Sequence, residues 1–88
     1  MSWVSELSHR AERQLARLPR DVQERIAQAI DELEVDPFRG DVLPLKGQQW
    51  RGRYRKRVGR YRIIFVPHTD SHIVEVSAIL LRDERTYR

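Results

Sequence analysis

The sequence predicts an α+β domain, with a helical hairpin packed on one face of a small, mainly antiparallel twisted sheet in the order β-α-α-β-β-β. Three observations carry that expectation. Apolar residues recur at helical spacing through the first third of the chain. Alternating and β-branched segments fill the part after Gln49. Between them lies a stretch, 37–49, punctuated by Pro37, Gly40, Pro44 and Gly47, which reads as a connecting loop.

Taken in order, Trp3-Val4-Ser5-Glu6-Leu7 reads as a short strand. Ser8 is a good N-cap, and Ala11, Leu15 and Leu18 are spaced for a helix over 8–18. Pro19 ends that helix and suits the start of the next. Val22, Ile26, Ala29, Ile30 and Leu33 form the apolar stripe of a second helix, with Asp21 favouring its N-terminal end and Asp36-Pro37 stopping it. Joined so tightly, the two helices form a hairpin with one apolar face and one face of Arg, Glu, Gln and Asp. Phe38, Val42, Leu43 and Leu45 can anchor the loop that follows. Three strands are expected over 50–58, 61–66 and 73–80, with His68-Thr69-Asp70-Ser71 as a polar turn between the last two.

A chain of 88 residues is enough for one domain and not for two, so 1–88 is read as a single unit. Charged residues make up 34% and hydrophobic residues 40%, a globular composition. No apolar run approaches the roughly 18 residues that a membrane span needs, so no membrane association is expected and the cytoplasm is the expected location. Cysteine is absent, which excludes disulfides and thiolate chemistry, and three scattered histidines do not make a zinc site. No Ser-His-Asp order, phosphate-binding GxxxxGK[ST] loop or HExxH helix is present.

The net charge is +4, but its placement tells more than its total. From Arg51 to Arg62 there are seven basic residues and no acid, so that segment carries +7 and the rest of the chain is acidic by three charges. Strand alternation points Arg51, Arg53, Arg55 and Arg57 one way, and Gly52, Tyr54, Lys56 and Val58 the other. If Gly59-Arg60 is a two-residue hairpin loop, Val58 lies opposite Tyr61 and Arg57 opposite Arg62. Arg53, Arg55, Arg57 and Arg62 then share one surface with Ile64 and Val66. Like charges directly opposed on a sheet are destabilising, so such a face suggests a polyanionic ligand. Guanidinium groups bind phosphate bidentately and stay charged at any working pH. The plainer alternative is a solvated strand whose arginines pair with helix acids such as Glu12, Asp31, Glu32 and Glu34. Tyr54, Tyr61, Trp50 and Phe65 read as core or interface aromatics, and His9, His68 and His72 as exposed turn or helix residues.

The same strings, in this order, resemble the RelE/ParE superfamily of bacterial and archaeal toxins. Leu7-Ser8 with Ala11-Glu12 is similar to the opening of its first helix, and Leu18-Pro19 with Val22-Gln23-Glu24-Arg25-Ile26 to its helix corner. Asp36-Pro37-Phe38-Arg39 and Leu45-Lys46-Gly47 resemble its central loop. The most specific string, Arg55-Lys56-Arg57-Val58-Gly59-Arg60-Tyr61-Arg62-Ile63-Ile64-Phe65, is similar to its strand pair around a Gly-x-Tyr-Arg element, and Tyr87-Arg88 to its ending.

The resemblance implies a type II toxin held inactive by a cognate antitoxin protein. In the RelE-like branch, which the basic set favours, the toxin cleaves mRNA on the ribosome and needs no metal or other cofactor. The substrate 2′-hydroxyl attacks its own adjacent phosphate and leaves a 2′,3′-cyclic phosphate. Carried over position by position, Arg62 and Arg82 would stabilise transition-state charge and Tyr87 would stack or move a proton. Arg53 and Arg55, with Arg51 and Arg57 beside them, would bind the RNA backbone. The alternatives are a ParE-like toxin acting on DNA gyrase, or a non-catalytic nucleic-acid-binding member.

Overall fold

A computed structural model describes residues 3–82 of the chain. Its elements run β1 (Val4–Leu7), α1 (His9–Ala16), α2 (Arg20–Val35), β2 (Val42–Pro44), β3 (Tyr54–Val58), β4 (Tyr61–His68) and β5 (Ile73–Leu81), with a 3₁₀ turn at Gln48–Trp50. The five strands form one sheet in the order β1-β5-β4-β3-β2. Only the β1–β5 pair is parallel among the strand pairs of the described residues. Both helices pack on one face, which is the predicted α+β architecture.

Local chemistry explains the helix ends. Ser8 caps α1 through its hydroxyl, which accepts from Ala11 N at 3.1 Å. At the corner, Gln23 Nε2 donates to Ala16 O at 3.3 Å and to Leu15 O at 2.9 Å, the latter also accepting from Leu18 N at 3.1 Å, so the side chain helps to serve the carbonyls at the end of α1. Asp36 Oδ1 accepts from Phe38 N at 3.0 Å, an Asx turn that leads the chain out of α2. The predicted stripe of Val22, Ile26, Ala29, Ile30 and Leu33 is buried in full. It meets Ile63, Phe65, Val74, Val76 and Ile79 from the sheet, with Ala11 from α1.

Two expectations are corrected. The stretch 37–49 is not wholly a loop: Val42–Pro44 is an edge strand, antiparallel to β3. Proline is compatible with an edge because it has no N–H to offer a second neighbour. Conversely, the strand expected from Trp50 begins only at Tyr54, because Gly47 (φ +100°) and Gly52 (φ +79°) turn the chain around the 3₁₀ segment. The β3–β4 hairpin has the predicted register, with Val58 opposite Tyr61 and Arg57 opposite Arg62. Gly59, at φ +57°, supplies the positive φ that the first position of this tight turn requires. The tip of the Arg25 side chain also lies where a Cβ at Gly59 would project, but that flexible end can move aside, so the positive φ is what calls for glycine there.

An irregularity in the β4–β5 pairing sets which residues of β5 face the helices. Ile64 pairs with Ala78 but Phe65 pairs with Val76, which leaves Ser77 as a bulge residue. Val74 and Val76 precede the bulge on the core side; after it, Ile79 takes that role and Ala78 and Leu80 turn to the opposite face. Helix α1 is tied to this stretch: Ser8 Oγ donates to Ser77 O at 3.0 Å, and Gln14 Oε1 accepts from Ile79 N at 2.7 Å. These side chains serve the edge of β5 where β1 has ended.

Candidate nucleic-acid interface

The face of the sheet away from the helices gathers the arginines. Arg57 lies directly opposite Arg62, and Arg55 opposite Ile64. Arg53 precedes β3, yet its carbonyl accepts from Leu45 N at 2.9 Å, which continues the β2–β3 ladder by one step. Strand alternation therefore keeps Arg53 on the side of Arg55. At the far end, Arg82 N donates to Arg60 O, extending the β4–β5 ladder past Leu81 and Tyr61. The same alternation puts Arg82 on the side of Leu80 and Arg62. Arg51 lies in the turn after the 3₁₀ segment, outside the strand, because Gly52 breaks the alternation. Tyr87 falls outside the described residues.

The face is layered. Arg55 (8% exposed) and Arg62 (4%) are buried into its floor beside Ile64 and Ala78, while Arg53, Arg57, Arg60 and Arg82 are exposed around them. Arg62 Nη1 donates to Tyr61 O at 3.1 Å and Gly59 O at 3.4 Å, so the hairpin turn itself supplies acceptors for the buried guanidinium. That placement offsets part of the repulsion from Arg57 across the ladder.

Among the described residues, the acid that pairs with Arg55 and Arg57 is not one of the helix acids proposed as the plainer alternative but Asp41, just before β2. Arg55 Nη1 donates to Asp41 Oδ1 at 3.0 Å and to Asp41 O at 3.1 Å. Arg57 Nε lies 3.5 Å from Asp41 Oδ2. Glu32 instead pairs with Lys56 on the helix side at 3.0 Å, and Glu34 accepts from Ser5 N and Oγ. Asp41 escaped the sequence reading because it sat in a segment read as loop. Recognising Val42–Pro44 as a strand against 54–56 would have placed Asp41 beside Arg57, whose N–H donates to Asp41 O at 3.0 Å.

The hydrogen bond from Arg55, followed by the charges of Arg57, Arg55 and Arg62, holds the Asp41 carboxyl below the usual carboxylate range. A depressed folded-state value means that Asp41 stabilises the fold fully above the unfolded value near 3.9. That contribution disappears as pH falls through the folded value. The urea midpoint is therefore expected to drop less between about pH 6 and about pH 3 in Asp41→Asn than in the unmodified protein. Equal drops would show that the Asp41 pairing contributes no stability.

The aromatic expectation fits for Tyr54, Tyr61 and Phe65, and the histidine expectation fits for His9 and His72; His68 is corrected, because it is a half-buried residue at the end of β4 rather than an exposed turn residue. Phe65 is buried, and Tyr54 and Tyr61 pack against the core. His9 and His72 are exposed; His72 stacks on Trp3 with centroids 4.7 Å apart, and His68 pairs with Glu75 at 2.9 Å. Among the described residues no helix is long and apolar enough to cross a membrane.

An α-hairpin on one face of a five-stranded mixed sheet, with a basic hairpin at its centre, is the architecture of the RelE/ParE toxins. Residues 6–86 match the family described as the ParE toxin of type II toxin–antitoxin system, parDE, and the chain belongs to that family. It is thus a type II toxin of the RelE/ParE superfamily. Similar solved structures include the RelBE2 toxin–antitoxin complex of Mycobacterium tuberculosis, at TM-score 0.82 and 22% identity, covering 93% of this chain and 100% of that one. The archaeal RelE–RelB complex of Pyrococcus horikoshii gives TM-score 0.81 at 24% identity, over 96% of this chain and 99% of that one. A YoeB/ParE toxin from Agrobacterium tumefaciens gives 0.78 at 19%, over 91% and 99%. At these identities the likeness is one of fold. A comparison with curated proteins finds no significant match.

Proposed function

We propose that this toxin is a metal-independent, ribosome-dependent mRNA endonuclease that inhibits translation, working in the cytoplasm under the control of a cognate antitoxin. The observation that carries the reading is the guanidinium set on one sheet face: Arg55, Arg57 and Arg62 in register, with Arg53 and Arg82 at either end. An RNA phosphate lying across that set would be gripped by the exposed arginines and would meet Arg62 from below.

In that reaction the 2′-hydroxyl oxygen forms a bond to the adjacent phosphorus, and the bond to the 5′ oxygen breaks. The 2′ proton passes to a base and a proton is returned to the leaving oxygen. Arg62 and Arg82 offset the extra negative charge of the transition state. Tyr87 is the proposed proton-carrying or base-stacking group. Arginine itself is a poor proton acceptor, with a pKa above 12. The antitoxin reading is supported by the family and by the similar folds, two of which come from toxin–antitoxin complexes.

A second reading, a toxin acting on gyrase without cutting RNA, is favoured by the ParE description of the matching family and by the partial neutralisation of the face by Asp41. The test is expression without antitoxin, followed by mapping of RNA 5′ ends and assay of gyrase-linked DNA breaks. Cuts in translated messages, in phase with codons, are the expected result. DNA breaks without RNA cuts would select the second reading, and neither would leave a non-catalytic binding protein.

A further inference from the structure

The arginine face already holds an anion of its own. The Asp41 carboxylate bridges two guanidinium groups, with Oδ1 3.0 Å from Arg55 Nη1 and Oδ2 3.5 Å from Arg57 Nε. The Asp41 carbonyl accepts separately from Arg55 Nη1 and from Arg57 N. The residue is therefore anchored by its backbone, whatever its side chain does. The accessibilities of the partners differ: the Arg55 side chain is 9% exposed, whereas that of Asp41 is 51% exposed. A buried cation is thus capped by an acid that water reaches.

A phosphodiester offers what this carboxylate offers, a single negative charge spread over two oxygens that a guanidinium fork can hold. We propose that Asp41 is the resident anion of a phosphate seat built from Arg55 and Arg57, and that a phosphate of the nucleic-acid backbone takes its place. This rests on reading the arginine face as the substrate-binding one. Rotation of one exposed side chain into water vacates the seat, and the ladder beneath it does not move.

Two other roles fit less well. A carboxyl held below its usual range accepts protons weakly, which argues against a general base. A simple brace for β2 is already provided by the backbone bonds of Asp41. While the seat is empty of substrate, Asp41 offsets the repulsion among Arg55, Arg57 and Arg62. The consequence is a toxin that binds any polyanion less tightly than its arginine count implies.

The probe is a short single-stranded oligonucleotide with 2′-deoxy sugars. It carries the phosphates but cannot undergo 2′-hydroxyl attack, so binding is read apart from cleavage. Its affinity is measured across a salt series for the unmodified toxin, Asp41→Asn and Glu24→Gln. The last variant removes the same charge from an exposed position on the helical side. Asp41→Asn is expected to bind about tenfold more tightly, because a charged hydrogen bond no longer competes. It should also show a steeper salt dependence. Glu24→Gln is expected to change affinity less than about twofold, its charge being screened at that distance. Asp41→Ala keeps the anchoring carbonyl and should give the same sign as Asp41→Asn. If the oligonucleotide binds but neither Asp41 variant exceeds Glu24→Gln, the seat proposal is overturned while the binding face stands. If no form binds, both readings fall.

Discussion

Arg62→Ala is expected to slow single-turnover cleavage on programmed ribosomes by about 10²–10³-fold, roughly 2.7–4 kcal/mol of transition-state stabilisation. Ribosome binding should stay close to normal. The split follows from the layering of the face. Arg62 is buried in its floor, fixed by the carbonyls of Tyr61 and Gly59, so it offers a preorganised charge rather than a grip on the RNA surface. Arg53 is exposed at the end of the ladder, and its replacement by Ala should do the opposite. Binding should weaken and its salt dependence decrease, with a smaller effect on the cleavage step. Full activity in a folded Arg62→Ala protein would refute the catalytic assignment and favour gyrase or simple binding.

Phe65→Ala should be the most damaging core substitution, costing about 3–5 kcal/mol. Phe65 is fully buried at the centre of the sheet's helix-facing side, and Tyr54 stacks on it with centroids 5.9 Å apart. A domain of this size has about 4–13 kcal/mol in total, so the variant should lie near the edge of unfolding at 37 °C. Urea denaturation measures it directly, and a loss below about 1 kcal/mol would mean that the site collapses to fill the gap. The variant also separates two causes of lost toxicity, since it leaves every arginine of the face in place and removes the scaffold that aligns them.

The contrast between Arg55 and Arg62 on one side and Lys56 on the other was legible because a strand has period two and a two-residue turn sets its register. Once Gly59-Arg60 is read as that turn, Arg57 opposite Arg62 follows without knowledge of the rest of the molecule. The helix stripe was legible for a similar reason. Val22, Ile26, Ala29, Ile30 and Leu33 repeat at a spacing that only a helix brings to one side. The family resemblance rested on the same local strings.

The sequence by itself thus determined the two helices, the basic hairpin and the identity of the face that the arginines share, because each depends on neighbours a few residues apart. Only the tertiary structure decided what lies against that face. The pairing of β2 with β3 brings Asp41 to Arg55 across a sequence separation of 14, from a segment that looks like loop. The Ser77 bulge re-aims the end of β5, and the parallel β1–β5 pair closes the sheet at its other edge. These contacts are long-range and depend on which edges remain open once the core has packed. No periodicity within a single segment encodes that choice.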